Sequence, residues 1–490
     1  MLSCKIHINA FGMIFAKTRK MPPLPRPSNL QTIALPVRHA QIIAHSDVLV
    51  VGAGPAGFGA AIAAAEAGAK VILAERFAVP GGNATVALVA PFCSYFTHST
   101  VSESPGAQTF FPTDHGEGSP VIAGVLGRLV KRLVAAGGAI PPSLETGYVV
   151  AYDHEICKQV MAAMLDEAGV QFLYHALASG VITDKNTVSV IFESKSGPLV
   201  IKASIVVDCT GDGDIAAAAG APFEIGRLVD GHTQPMTVYF RMGDVNRGEF
   251  FKYSAANPSQ WRGAHGLEEL IRKAKQSGVL NIPRESILLF GTPREDEVSV
   301  NGTRVIHVLG TDVFDLTFAE WKGRRQVAEL VKFLQQYVPG FRGAYLVQSG
   351  GSVSTRESRR IIGDYQLSLE DIFSEQKFKD VIALSTYPVD IHNPDGAGTM
   401  LYQLPPGSAY GIPLRCLLPK NLERILVAGR CISGTHEAHS SYRVMPVAMA
   451  VGQAAGVCAA LCASSRATIR DVSYRDVREE LLGQGAILEI

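Results

Sequence analysis

The chain has 490 residues, 45 basic side chains against 45 acidic ones for a formal charge of zero, and 47% hydrophobic residues. That length exceeds what one core of ordinary size organises, so two or three domains able to enclose a large ligand are expected, and the apolar content excludes a disordered chain. Lys and Arg are spread among acids with no basic stripe, which argues against nucleic acid as a partner.

The first 44 residues read as an extension. Ile6 to Ala16 is apolar, but His7 and Asn9 interrupt it, and Lys17, Arg19 and Lys20 lie on the wrong side for a signal peptide. Met21 offers an alternative start, and Pro22, Pro23, Pro25 and Pro27 predict an irregular lead-in. From Asp47, Asp-Val-Leu-Val-Val suits a strand buried on both faces; a glycine turn follows, then an alanine helix from Pro55 to Ala67 and a second strand from Lys70 to Glu75. This is a βαβ unit of about thirty residues.

Phe92 to Pro120 is dense in Ser, Thr, Pro and Gly and reads as an irregular stretch of the kind that caps a site. Val121 to Ala136 and Asp153 to Ala168 have helical spacing. Gln171 to His175, Gly180 to Thr183, Thr187 to Glu193 and Leu199 to Ile201 read as a small meander. Ser204 to Asp208 is another buried strand, followed at Ile215 to Ala219 by a short alanine helix.

Between about 222 and 350 the pattern changes. Alternating strands (Met236 to Met242, Arg304 to Leu309) and amphipathic helices (Gly266 to Ser277, Phe318 to Gln336) predict an inserted mixed α+β domain. The last third returns to small residues, with a strand at Arg424 to Ala428. Val444 to Ala463 then forms a helix of nearly membrane-spanning length, but Pro446, Gly452, Gln453 and Gly456 among its alanines suit a buried helix better, so no membrane is expected. The predicted domains are 45–221 and 351–465 as two parts of one unit, 222–350 inserted between them, and a tail at 466–490.

Gly52-Ala53-Gly54-Pro55-Ala56-Gly57 matches G-x-G-x-x-G between strand and helix. The first glycine permits the turn, the second lets backbone approach a pyrophosphate, the third lets helix and strand pack, and the helix N-terminus faces the phosphate charge. Glu75, 23 positions after Gly52, stands where a carboxylate accepts from a ribose 2′-hydroxyl, with Arg76 beside it. A dinucleotide is therefore expected; the motif does not choose between NAD and FAD.

Four blocks, in order, resemble the FAD-dependent oxidoreductases of the two-dinucleotide-binding-fold group, including heterodisulfide-reductase-like flavoproteins. The first is the glycine motif with Glu75, continued by Gly81-Gly82-Asn83-Ala84-Thr85. The second is Asp208-Cys209-Thr210-Gly211-Asp212-Gly213-Asp214. The third runs from Arg356 through Glu357, Ser358, Arg359 and Arg360 to Tyr365, and the fourth from Ala428-Gly429-Arg430 to Gly452-Gln453-Ala454-Ala455-Gly456. The resemblance implies an α/β fold: a three-layer, Rossmann-type FAD-binding domain with a parallel sheet, carrying the inserted domain. It implies FAD as cofactor. Its contacts would be Gly52, Gly54, Pro55, Ala56, Gly57, Glu75, Arg76, Gly81, Gly82 and Thr85 from the first block, Thr210, Gly211 and Asp212 from the second, and Gly429, Arg430 and Gln453 from the fourth. The iron–sulfur cysteines of some relatives are missing, which argues against an electron-bifurcating assembly.

The eight cysteines, Cys4, Cys93, Cys157, Cys209, Cys416, Cys431, Cys458 and Cys462, form no C-x-x-C pair and read as small core residues of a protein in a reducing, cytoplasmic compartment. His436, Glu437, His439 and Arg443 crowd the turn after Arg430, and His392 follows Tyr387 to Ile391. His436 and His392 are candidate general bases, with Arg443 as the third catalytic candidate; His439 is weighed beside them, each against a structural hydrogen-bonding role. Arg356, Arg359 and Arg443 are candidate holders of a substrate carboxylate or partners in local ion pairs. The spacing does not match H-E-x-x-H, so no metal is expected, and no G-x-S-x-G elbow is present. The reading is a flavoenzyme passing a hydride between FAD and a small-molecule substrate, with an unidentified electron acceptor and a homo-oligomer left open. Its rivals are a nicotinamide dehydrogenase, an electron-relay subunit and a non-catalytic nucleotide-binding module.

Overall fold

The computed structural model describes residues 23–100, 102–113, 116–374 and 377–490. Cys4 and the segment Ile6 to Met21 with Pro22 lie outside the described residues.

The first body is built on a seven-stranded sheet. Strand β1 (Gln41–Val51) starts six residues before the expected Asp47 and leads into helix α1 (Pro55–Glu66) and strand β2 (Val71–Ala74). Helices α2 (Gly124–Ala135) and α3 (His154–Glu167) follow, the latter capped by the Asp153 carboxylate on the backbone N–H groups of Glu155 and Ile156. Next come β3 (Gln171–Leu173), β4 (Leu177–Thr183), β5 (Val188–Ser194), β6 (Gly197–Asp208) and the short helix α4 (Asp214–Ala218). The sheet order is β3-β2-β1-β6-β5-β4.

Two expectations about this region are corrected. Gln171–Leu173 is not part of the meander but pairs in parallel with β2 at the sheet edge. The runs at 199–201 and 204–208 are one strand, β6, because its backbone stays paired with β1 throughout. On its other side β6 first meets β5 antiparallel, and then, over Val206 to Asp208, the distant β18 (Ile425–Val427) in parallel. The two ends of the chain thus share one sheet.

The second body follows β7 (Phe223–Ile225). A five-stranded antiparallel sheet has the order β12-β8-β11-β10-β9, from β8 (Phe240–Gly243), β9 (His265–Gly266), β10 (Ile287–Gly291), β11 (Val298–Asn301) and β12 (Tyr345–Ser349). Helices α5 (Arg247–Ala256), α6 (Glu268–Gln276) and α7 (Val313–Tyr337) accompany it. Its own apolar core centres on Trp261, Phe250, Phe333 and Phe341, joined by Phe110 from the irregular stretch before α2. The expected strand at 236–242 is regular only from Phe240, because the Thr303 hydroxyl takes the Val238 N–H at 2.7 Å in place of a ladder bond. No strand forms at 304–309: His307 is left-handed (φ 56°) and the Arg304 N–H is taken by the Gln326 side chain.

The chain returns through β13 (Arg359–Ile361), α8 (Leu369–Phe373), β14 (Val381–Ser385), a hairpin of β15 (Val389–His392) and β16 (Thr399–Tyr402), β17 (Tyr410–Pro413) and β18. Helices α9 (His436–Tyr442), α10 (Met445–Ser465) and α11 (Tyr474–Gly483) close it, so the expected C-terminal tail contains a packed helix. Helix α10 is long and apolar enough to cross a membrane, yet most of it is buried inside the protein.

Its small residues explain this placement. A Cβ on Gly452 would lie 2.0 Å from the Ala56 carbonyl oxygen, one on Gly456 2.1 Å from that of Ala60, and one on Gly59 2.4 Å from that of Met449. Each mid-helix glycine weakens the helix by about 1 kcal/mol relative to alanine. The backbone contact between α1 and α10 that they permit offsets this and carries the N-termini of both helices to the same cavity.

Candidate active site

A single cavity of about 710 Å³ runs from the glycine turn after β1 to the second body. At its first end, Gly52 adopts φ +95°, and any Cβ there would lie 2.5 Å from the Cys209 carbonyl, so only glycine fits. Gly52, Gly54, Pro55 and Ala56 line the cavity, whereas Gly57 faces away and packs against the Gly52 backbone. Neither α1 nor α10 has a side-chain cap or an acid in its first turn, and Pro55, Ala56, Met445 and Ala448 line the cavity at their starts. Both uncapped ends favour negative charge.

Glu75 is buried and on the cavity wall. One carboxylate oxygen accepts from the Ala53 N–H at 2.6 Å and the other from the Phe77 N–H at 2.9 Å, which ties the end of β2 to the glycine turn. Arg76 also lines the cavity, its guanidinium over the Phe77 ring. Gly82 lines it too, while Gly81 and Thr85 stand behind: the Gly81 N–H donates to the Ala53 carbonyl at 2.7 Å, and the Thr85 hydroxyl to the Pro80 carbonyl at 2.5 Å.

From the other blocks, Thr210, Gly211, Gly429 and Arg430 line the cavity. Asp212 does not. Its carboxylate instead accepts from Arg430 Nη2 at 2.7 Å and from the Ser358 hydroxyl at 2.6 Å, so it positions Arg430 and joins three of the four blocks. Gln453 is buried in α10, where it accepts from the Val125 N–H and donates to Gln484, away from the cavity. Asp208, unremarked as a single residue, accepts from the Thr210 hydroxyl and from the N–H groups of Ile215 and Ala216, and so shapes the second turn.

The far end of the cavity is cationic. Arg284, Arg356 and Arg443 line it, with His392, Asp390, Tyr387 and Tyr239, and Arg304 stands behind them on His392 Nδ1. Asp390 is the one acid among them. Burial works against its ionised form, but the His392 ring, the Arg443 guanidinium and the Tyr387 hydroxyl overcome this and hold it well below the usual carboxylate range. Burial pushes His392 down to about 3, against the pull of Asp390, so the ring is neutral near pH 7. Tyr239 accepts from Asn301 Nδ2 at 2.7 Å, which leaves its own hydroxyl hydrogen to be donated elsewhere. Cys93, on the same wall, is pushed up by burial to about 11 and stays a thiol.

The structure brings His392 and Arg443 together at this end, and Arg356 with them. His436 is elsewhere: it is buried off the cavity with Nδ1 2.9 Å from Glu357 Oε1, in a network where Glu357 also pairs with Arg360 and accepts from the Gln234 N–H. His439 is fully buried, and burial, with Arg360 the leading charge, drives it well below the ordinary histidine range. Arg359 turns towards Asp214 at 2.8 Å rather than to the cavity. Sequence reasoning missed Arg284, Arg304, Tyr239 and Asp390, because the first three sit in separate stretches of the second body and Asp390 on β15, with no local motif to mark them.

The fold and the cavity define a dinucleotide-binding flavoprotein architecture. Residues 47–481 match the FAD dependent oxidoreductase family, and the chain belongs to that family. It is an enzyme with FAD as its cofactor. A segment of 41 residues is 63% identical to fumarate reductase (cytochrome) of Shewanella frigidimarina, covering 8% of this chain and 7% of that protein. Another of 40 residues is 55% identical to the sarcosine oxidase subunit alpha of Rhizobium meliloti, covering 8% and 4%. The chain thus spans less than a tenth of the length of these curated relatives. Among solved structures, a geranylgeranyl bacteriochlorophyll reductase-like protein of Thermoplasma acidophilum is 14% identical over 91% of this chain and 84% of that one, with a TM-score of 0.44. A p-nitrophenol 4-monooxygenase of Pseudomonas putida is 11% identical over 90% and 84%, with a TM-score of 0.42.

The residues present fit FAD. The open space over Gly54, where an added Cβ meets nothing within 4 Å, and two uncapped helix ends on one cavity make a cradle for a pyrophosphate. The buried acid Glu75 lies where the adenosine ribose of a dinucleotide is expected.

Proposed function

We propose that this flavoenzyme passes a hydride between FAD and a small organic molecule held at the cationic end of its cavity. The observation that carries this reading is the continuity of one cavity between the glycine turn at Gly52 and the cluster at Arg284, Arg356 and Tyr239. FAD supplies the two-electron acceptor when bound. On this reading the contacts at Gly52, Gly54, Glu75, Gly82, Thr210, Gly429 and Arg430 hold it, and Gly57, Gly81, Thr85, Asp212 and Gln453 support them from behind. The segment 222–350 supplies Tyr239, Arg284, Leu288 and Phe290 to the substrate end, and the returning chain supplies Arg356, Tyr387, Asp390, His392 and Arg443.

The chain's own groups have separate tasks. Arg443 and His392 hold Asp390 ionised and so fix the wall of the chamber, while Tyr239 presents a hydroxyl proton that can stabilise or protonate a substrate oxygen. His392 acts as a positioning residue, since both ring nitrogens are already engaged. The seven described cysteines are free and buried or half-buried, which supports a reducing, cytoplasmic setting.

The test is the visible spectrum of the purified protein before and after denaturation, followed by anaerobic mixing with candidate substrates. Released FAD and substrate-dependent bleaching of the oxidised flavin, reversed by an artificial acceptor, are expected. Bound FAD reduced only by a protein partner would replace this reading with an electron-relay subunit.

A further inference from the structure

The substrate end of the cavity holds more positive charge than its own acids neutralise. Arg284, Arg304 and Arg356 are 5%, 3% and 7% exposed. Among the described residues none of the three has a carboxylate within ion-pair distance. Arg304 donates to the carbonyls of Gly396 and Gly398 and to His392, Arg356 to the carbonyl of Pro235, and Arg284 through Nε to the carbonyl of Ser286. Arg284 Nη1 is buried with no hydrogen-bond partner among the described residues. The nearby acid, Asp390, is already shared by Arg443, His392 and Tyr387.

Leaving a cation buried and unpaired is expensive, and an interior retains such groups where a ligand completes them. Burial and the neighbouring Arg304 and Arg356 push Arg284 down to about 9, so it is still charged at neutral pH while feeling its like-charged neighbours. The planar guanidinium fork matches a carboxylate by paired N–H donation. Strand β10, which begins three residues after Arg284, adds Leu288 and Phe290 to the wall, apolar surface suited to a carbon skeleton rather than to a bare inorganic ion.

We propose that the substrate is a small organic carboxylate whose anionic group is held by Arg284 and Arg356, with Tyr239 facing the rest of the molecule. This rests on the proposed function and names its substrate class. Arg304 and Arg443 are fixed by their own partners and supply field rather than direct contact.

The test uses the FAD-loaded protein and calorimetry beside the flavin spectrum. Acetate, succinate and benzoate are titrated against acetamide, succinamide, benzamide and inorganic phosphate, in the wild type, Arg284→Gln, Arg356→Gln and Arg284→Lys. At least one carboxylate is expected to bind saturably and to perturb the flavin spectrum, its amide not to bind, and Arg284→Gln to weaken it by roughly tenfold or more with partial recovery in Arg284→Lys. FAD content should be unchanged in every variant. The inference is overturned if no carboxylate outbinds its amide, if phosphate binds equally well, or if Arg284→Gln and Arg356→Gln leave affinity intact. Protein that holds no FAD would overturn the proposed function instead, and FAD release reports that separately.

Discussion

Arg304 donates from Nη2 to His392 Nδ1 at 2.9 Å, and the other ring nitrogen of His392 lies 3.3 Å from Asp390 Oδ2. A guanidinium has donors only, so Nδ1 must accept and Nε2 must carry the hydrogen that meets Asp390. The contact fixes both the tautomer and the neutral state of a histidine that, from sequence, is a candidate base. It also ties the loop of Arg304 to the β15–β16 hairpin beside the cavity.

This arrangement has a pH signature. In the unfolded chain His392 takes up a proton as pH falls through about 6.5. In the folded protein burial holds its proton affinity down to about 3. Between those values the unfolded state binds more protons, so stability is full above about 6.5 and is lost as pH falls towards 3. His439, lowered in the same direction, adds to the slope. Chemical denaturation at pH 7.5, 6 and 5 should show this decline, and His392→Gln should flatten part of it. An equal decline in the variant would remove His392 from the explanation.

His436 offers a sharp comparison between structural and catalytic roles. Its Nδ1 meets Glu357, which is fully buried and also neutralises the buried Arg360. Glu357→Ala should destabilise the protein by about 3 kcal/mol, because the buried Arg360 loses its closer carboxylate and keeps only Glu224 at 3.5 Å. His436→Asn should lower the melting temperature but leave turnover per bound flavin within a few-fold. A catalytic base would instead cost about 10² to 10⁴ in rate.

Gly452→Ala tests the contact between α1 and α10. The added methyl must push past the Ala56 carbonyl at 2.0 Å, a backbone atom that cannot rotate away. Overpacking of this kind is worth about 1 to 3 kcal/mol or more, exceeding the gain of about 1 kcal/mol in helix propensity. The melting temperature should fall and FAD should be lost on gel filtration. Gly483→Ala, where nothing lies within 4 Å, is the matched control and should be neutral or slightly stabilising.

Tyr239→Phe removes one hydroxyl from the cavity wall and leaves Asn301 without its acceptor. Turnover should fall by about 10²-fold with FAD content unchanged. Full activity in the phenylalanine variant, measured by anaerobic flavin reduction, would take the proton-donating role away from Tyr239.

The cofactor end of the site was legible because its determinants are local. A glycine that must turn, a helix that must start uncapped and an acid at the end of the next strand all fall within the stretch from Gly52 to Glu75, and the structure brings them to one wall. Side-chain directions were less legible: Asp212 follows the lining Gly211, and Gln453 belongs to the helix whose start lines the cavity, yet their side chains turn to Arg430 and to Val125. A run of residues shows which block is near a ligand, not which side chain faces it.

The fold class, the dinucleotide and the burial of α10 were legible in residue types alone, because strand, turn and helix signals and backbone proximity are written a few positions apart. The substrate end had to await the folded chain. Arg284, Arg304, Arg356, Asp390 and Arg443 come from separate elements, and the charge imbalance they create exists only once folding has removed water from between them and fixed which guanidinium has a partner.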